Sequence, residues 1–245
     1  MRSVLSAILL TFYTSFAMAG EIHVAVASNF LPAAKQLARE FAEKTGHQVT
    51  LAGGSTGKLY AQITHGAPFE AFFAADEKRP KLLEQQGVAL PGSRFTYAIG
   101  RLVLWSPRTA LVDPQGEVLK SGDFRHLALA NPKLAPYGRA AEQVLRKLKR
   151  WDALQERLVR GENIGQTCQF VKSGNAALGF VARSQLRQPG TAAPGSIWEV
   201  PQALYDPLLQ QAVLLKQNDA AQAFLAFVRS EAGRKIIRQS GYDTP

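Results

Sequence analysis

Cysteine is almost absent from this chain. Cys168 is the only one in 245 residues, which excludes an intramolecular disulfide and any zinc site built from several thiolates. Histidine is scarce too: His23, His47, His65 and His126 are scattered, with no H-E-x-x-H or comparable ligand spacing, which argues against a metal centre. Acidic side chains are in the minority, 19 against 29 Lys and Arg. The formal net charge is therefore +10, and polyanions, anionic membrane surfaces and small anions are the natural partners. Past Gly20 no apolar run approaches the roughly 20 residues of a membrane span, and there is no internal repeat or low-complexity tract. What remains is 46% hydrophobic and 20% charged, material for one or two packed domains that must hold together by their cores.

The apolar N-terminal stretch has a separate meaning. Arg2 supplies a positive start, Val4 through Phe16 an apolar run broken by Ser6, Thr11 and Ser15, and Ala17-Met18-Ala19 a small-residue cleavage site. Residues 1–19 thus read as a secretory signal peptide cut after Ala19. The run is too short for an anchor. Gly20 rather than cysteine follows the cut, so a lipid-anchored form is not expected. The expectation is a soluble periplasmic protein, a compartment that weakens any nucleic-acid role.

Downstream, strands and helices alternate. Glu21–Ala27 is β-branched and nearly continuous in apolar character, as a strand covered on both faces would be. In Phe30–Thr45, Leu31, Ala34, Leu37, Ala38 and Phe41 recur at helical spacing, with Asn29 placed as the cap and Gly46 as the stop. His47–Ala52, the glycine-rich turn Gly53–Gly57 and a helix Lys58–His65 repeat the unit; Glu70–Ala74, the cap candidate Asp76 and a helix through Gln86 repeat it again. A long β-rich run, Phe95–Trp105, exceeds an ordinary strand and could cross between two lobes. A second set follows: strand Leu127–Ala130, helix Arg139–Arg150, turn Gly161–Gly165, helix Gln166–Ser173 and strand Ala177–Ala182. An extended stretch Gln211–Leu215 then leads to helices at Ala220–Val228 and Glu231–Gln239. The pattern predicts an α/β fold of two lobes, each a mostly parallel sheet flanked by helices, joined by two crossing strands. Residues 20–98 and 206–245 would form lobe 1, and residues 99–205 lobe 2, with a hinge near Ala98 and Tyr205.

Four strand-to-helix loops carry small or hydroxyl residues: Ser28-Asn29, Ser55-Thr56-Gly57, Tyr137-Gly138 and Ile164-Gly165-Gln166. Helix N-termini expose unpaired N–H groups and the positive end of the macrodipole, so four of them converging would hold an anion. None has an Arg, Lys or carboxylate at the turn itself; Lys58 and Arg139 are the nearest charges. Neutral donors suit a small, fully deprotonated oxyanion. A ligand that keeps a proton, such as hydrogen phosphate, would need an acceptor for it, because an unmade buried bond costs about 1–3 kcal/mol.

The strings Ala25-Val26-Ala27-Ser28-Asn29-Phe30, Gly54-Ser55-Thr56-Gly57-Lys58-Leu59-Tyr60-Ala61-Gln62-Ile63, Gly66-Ala67-Pro68 and Phe72-Phe73-Ala74-Ala75-Asp76 resemble the periplasmic molybdate-binding proteins of ABC importers. So do Ser93–Gly100, Asn131-Pro132, Ala135-Pro136-Tyr137-Gly138 and Leu178-Gly179-Phe180-Val181, in collinear order over essentially the whole mature chain. The resemblance implies a type II periplasmic binding fold closing on one molybdate or tungstate dianion. It also implies delivery to an inner-membrane permease driven by a cytoplasmic ATPase. The expectation is a monomer that binds without catalysis or a cofactor. By position it assigns Ser28 and Asn29, Ser55 or Thr56, Tyr137, and the backbone N–H of Ile164 to the ligand. Some members carry a tyrosine near Gly179, where this chain has Phe180; Tyr137 would then supply the phenolic donor.

Other readings of the same residues are structural or rival. Arg146-Lys147-Leu148-Lys149-Arg150 lies opposite the apolar face Ala141, Val144, Leu145 and Leu148, and has no interleaved aromatics for base stacking. Asp76-Glu77 reads as cap and dipole partners rather than an acid/base pair, and Cys168 as a core residue. The rivals are the same fold for sulfate or thiosulfate, a secreted hydrolase using Ser55, and a basic nucleic-acid protein. The hydrolase lacks a G-x-S-x-G elbow and a histidine partner.

Overall fold

The computed structural model describes residues 20–188, 191–192 and 195–245, so the expected signal peptide lies outside the described residues. Strand β1 (Glu21–Ala27) is buried without interruption from Val24 to Ala27. Helix α1 (Leu31–Thr45) buries Ala33, Ala34, Leu37, Ala38 and Phe41 along one face and ends where Gly46 turns left-handed at φ 78° and its N–H reaches the Ala42 carbonyl. The units β2 (Gln48–Gly54), α2 (Thr56–Thr64), β3 (Ala71–Phe73) and α3 (Lys78–Gln85) follow. The β-rich run is two strands, β4 (Phe95–Gly100) and β5 (Leu102–Ser106), separated only by Arg101. Next come α4 (Val118–Ser121), β6 (Leu127–Ala130), α5 (Pro136–Lys147), β7 (Leu158–Gly161), α6 (Ile164–Lys172) and β8 (Leu178–Ala182). A short hairpin of β9 (Arg187–Gln188) and β10 (Thr191–Ala192), then β11 (Ser196–Glu199), β12 (Leu208–Leu214), α7 (Asp219–Arg229) and α8 (Glu231–Gln239) complete the chain.

Two five-stranded sheets result, ordered β2-β1-β3-β12-β4 and β11-β5-β8-β6-β7. Both are mixed. In the first, β2, β1 and β3 pair in parallel and β12 runs against its neighbours β3 and β4. In the second, β7, β6 and β8 pair in parallel and β5 runs against β8 and β11. The reversed strands are those that receive the chain from the other sheet: β5 follows β4, and β12 follows β11 through residues 200–207. A chain arriving from the facing sheet enters at the end where the parallel strands finish, and must run back against them. The change of sheet falls at Arg101, so the lobe boundary expected after Ala98 lies inside β4.

Each sheet is packed on both faces, as its near-continuous apolar strands require. Beside the cleft an aromatic cluster anchors the start of α1. The Phe30 ring lies 4.4 Å from Tyr97 and 5.6 Å, edge-on, from Tyr242, centroid to centroid. The C-terminal segment closes onto the strand junction, where Ile99 and Asp243 exchange backbone bonds. The Asp243 carboxylate accepts from Arg101 at 2.7 Å and Arg183 at 2.9 Å.

Candidate functional site

Sheet direction explains why four loops meet. The loops after β1, β2, β6 and β7 all leave the carboxyl ends of parallel strands, where open α/β sheets present their ligand sites. They touch across the cleft. The Gly165 N–H donates to Ser28 Oγ at 3.2 Å, and the Gly57 N–H donates to the Leu134 carbonyl at 2.8 Å. A Cβ on Gly57 would stand 2.9 Å from that same carbonyl, so glycine is what permits the approach. Charged groups hold the rim: Lys58 pairs with Glu162 at 3.1 Å, and Arg79 donates to the Lys133 carbonyl at 3.3 Å.

Inside this rim the side chains are buried and neutral. Ser55 is 2% exposed, and its hydroxyl has no hydrogen-bond partner among the described residues. The Thr56 hydroxyl next to it accepts from the Ala75 N–H at 3.1 Å. Tyr137 is buried in the first turn of α5, and burial first, with Tyr242 and Tyr205 nearby, pushes its phenol well above the usual value; it is a protonated hydroxyl. Ile164 opens α6. The N–H of Gly165 is taken by Ser28 and that of Gln166 by the Asn163 side chain at 3.0 Å, while helix geometry leaves the Ile164 N–H without an intrahelical acceptor.

Asn29 departs from the cap expected of it. Phe30 occupies the position before α1, with no side-chain cap. The buried Asn29 amide turns inward instead, donating to Gln210 Oε1 at 2.8 Å and to the Tyr242 hydroxyl at 3.0 Å. Gln210, fully buried on β12 at a register shift between Gln210 and Gln211, also accepts from Tyr97 at 3.1 Å and donates to the Tyr137 hydroxyl at 3.1 Å. It links the Asn29 and Tyr137 loops, and nothing in its local sequence marked it.

Asp76, 5% exposed, accepts from the Arg79 backbone at 3.1 Å and guanidinium at 2.5 Å, so it caps α3 and steadies the rim. Phe180 is fully buried in the core that also contains Tyr137 and Ile164. Burial raises the Cys168 thiol, against a smaller lowering by Lys172, leaving it a packing residue. No cluster of metal-ligating side chains occurs among the described residues. Beside Asn29 a groove of about 690 Å³ is edged by Lys35, Arg39 and Arg187; a second, beside Gly57, is edged by Lys78, Arg79, Lys133 and Arg139. Cations thus edge both grooves, while the buried side chains of the loops are uncharged.

Two facing sheets with neutral donors between them define a two-lobed solute-binding protein of the type II periplasmic class. The chain belongs to the bacterial extracellular solute-binding proteins, whose family model matches residues 22–243. Within that family its relatives are more particular. It is 50% identical over 229 residues to the molybdate-binding protein ModA of Azotobacter vinelandii, covering 92% of this chain and 91% of that protein. It is also 50% identical over 232 residues to that of Rhodobacter capsulatus, covering 93% and 90%. The solved structure of the Azotobacter vinelandii periplasmic molybdate-binding protein superimposes with a TM-score of 0.88 at 48% identity, covering 91% of this chain and 99% of that one.

Proposed function

We propose that this protein captures molybdate, or tungstate, between its lobes and carries it across the periplasm to the permease of an ABC importer. The observation that carries the reading is a buried set of uncharged donors in a chain half identical to molybdate-binding proteins over nearly its full length. The donors proposed are the hydroxyls of Ser28, Ser55 and Tyr137 and the backbone N–H groups of Asn29 and Ile164. Ser55 is favoured over Thr56 because its buried hydroxyl has no partner among the described residues, whereas Thr56 already serves the Ala75 N–H. A buried hydroxyl left unpaired costs about 1–3 kcal/mol, and an oxyanion that accepts its proton recovers that cost.

Residues 20–100 with 208–245 would form one lobe and 102–199 the other, with Arg101 and residues 200–207 as the hinge. The rim contacts Lys58–Glu162 and Gly57–Leu134 would form as the lobes close over the ion. Selection against sulfate would come from size: the smaller tetrahedron cannot reach every donor at once. The ligand leaves unchanged, so the role is binding and delivery by a monomer rather than catalysis. Isothermal titration of unfolded, dialysed and refolded protein with molybdate tests this. One saturable site per chain is expected, and heats of dilution alone would refute the proposal.

A further inference from the structure

We infer that Gln210 fixes the direction of the Tyr137 hydroxyl proton and thereby makes the cleft select fully deprotonated oxyanions over protonated ones. The inference rests on the proposed oxyanion reading and follows a chain of donors and acceptors. The Asn29 carbonyl can only accept, and the Tyr242 hydroxyl lies 2.7 Å from it, so the Tyr242 proton is committed there. The Asn29 side-chain atom 3.0 Å from that hydroxyl must then be the donor, Nδ2. The same nitrogen lies 2.8 Å from Gln210, so the Gln210 atom facing it must be the acceptor, Oε1. That leaves Gln210 Nε2 facing Tyr137 at 3.1 Å, where the phenol oxygen has to accept. A hydroxyl has one proton, and that of Tyr137 is thereby turned away from Gln210. Burial keeps the phenol protonated.

The consequence is chemical. A dianion with four bare oxygens receives the Tyr137 proton. Hydrogen phosphate that turned its P–OH toward Tyr137 would meet a group that is already donating, and one of the two protons would lack an acceptor. Gly100 makes the arrangement possible, because a Cβ there would run into the Tyr137 hydroxyl and stand 2.7 Å from Gln210 Nε2. The register shift at Gln210/Gln211 marks where β12 departs from regular pairing at this residue.

The test is a double-mutant cycle in the full mature chain, read with molybdate and with inorganic phosphate. Gln210→Met keeps the length of the side chain and frees the Tyr137 hydroxyl to accept. The ratio of phosphate to molybdate affinity should rise about tenfold, and Tyr137→Phe should cost less molybdate affinity in that background than in the wild type. An unchanged ratio with additive losses would overturn the inference. Gln210→Glu, close to isosteric, guards against misfolding of the first variant. At mildly alkaline pH its carboxylate would draw the Tyr137 proton out of the cleft, and molybdate affinity should fall about as far as in Tyr137→Phe; wild-type affinity would contradict it. The C–O stretch of isotope-labelled Tyr137, which separates donating from accepting phenols, reads the polarity without any ligand. It should shift between wild type and Gln210→Glu, and no shift would overturn the inference. A wild type that shows this shift but binds no molybdate would refute the functional reading alone.

Discussion

At the scale of single residues, hydroxyls carry the proposed binding. Ser55→Ala and Tyr137→Phe each remove one bond to a charged acceptor and should weaken molybdate binding by about 1–3 kcal/mol, measured by calorimetry. Ser55→Ala should leave the thermal midpoint of the ligand-free protein nearly unchanged, whereas Tyr137→Phe also takes the acceptor from the buried Gln210 Nε2 and should lower it. Thr56→Ala should differ from Ser55→Ala. It leaves the Ala75 N–H without its acceptor, so it should lower stability by about 1–3 kcal/mol whatever it does to the ligand. If Thr56→Ala abolishes binding while Ser55→Ala spares it, the assignment within this loop is reversed. The sequence brought both hydroxyls to notice but could not separate them, since only the folded chain places Ala75 against one of them.

At the scale of elements, local pattern and tertiary context contributed differently. Helices such as α1 and α7 were legible because their apolar residues recur at helical spacing, and β1 because a strand covered on both faces is continuously apolar. The reversal of β5 and β12 was not legible, because strand direction follows from which sheet sends the chain. Asn29 was read as a cap because caps are local, whereas its partners Gln210 and Tyr242 are 181 and 213 residues distant. Gln210 escaped notice for the same reason. The end of β4 supplies a test: Gly100→Ala should press a methyl into the Tyr137–Gln210 contact and reduce molybdate affinity with a stability loss of about 1–3 kcal/mol. Wild-type affinity in that variant would show that the contact is dispensable.

For the whole molecule, two charge effects can be separated. Burial opposes ionisation of Asp243, but its bonds from Arg101 and Arg183 outweigh it and hold the carboxyl below its usual value. A depressed value means stability that is present above the unfolded value, about 3.9, and lost as pH falls through the lower folded one. Asp243→Asn should therefore destabilise the protein at neutral pH and have little effect in strong acid, and equal destabilisation at both would contradict the pairing. The excess of basic residues acts at longer range. With cations edging both grooves, the association rate for molybdate should fall as ionic strength rises while dissociation stays nearly constant; a salt-independent association rate would remove steering from the account. Whether the cleft binds molybdate is read most simply from the unfolding temperature of the mature protein in millimolar molybdate, tungstate, sulfate and phosphate at one ionic strength. A ligand bound only by the native state stabilises it by RT ln(1 + [L]/Kd). Molybdate and tungstate should raise the midpoint strongly and sulfate and phosphate hardly at all; equal shifts with all four, or none with molybdate, would contradict the proposed function.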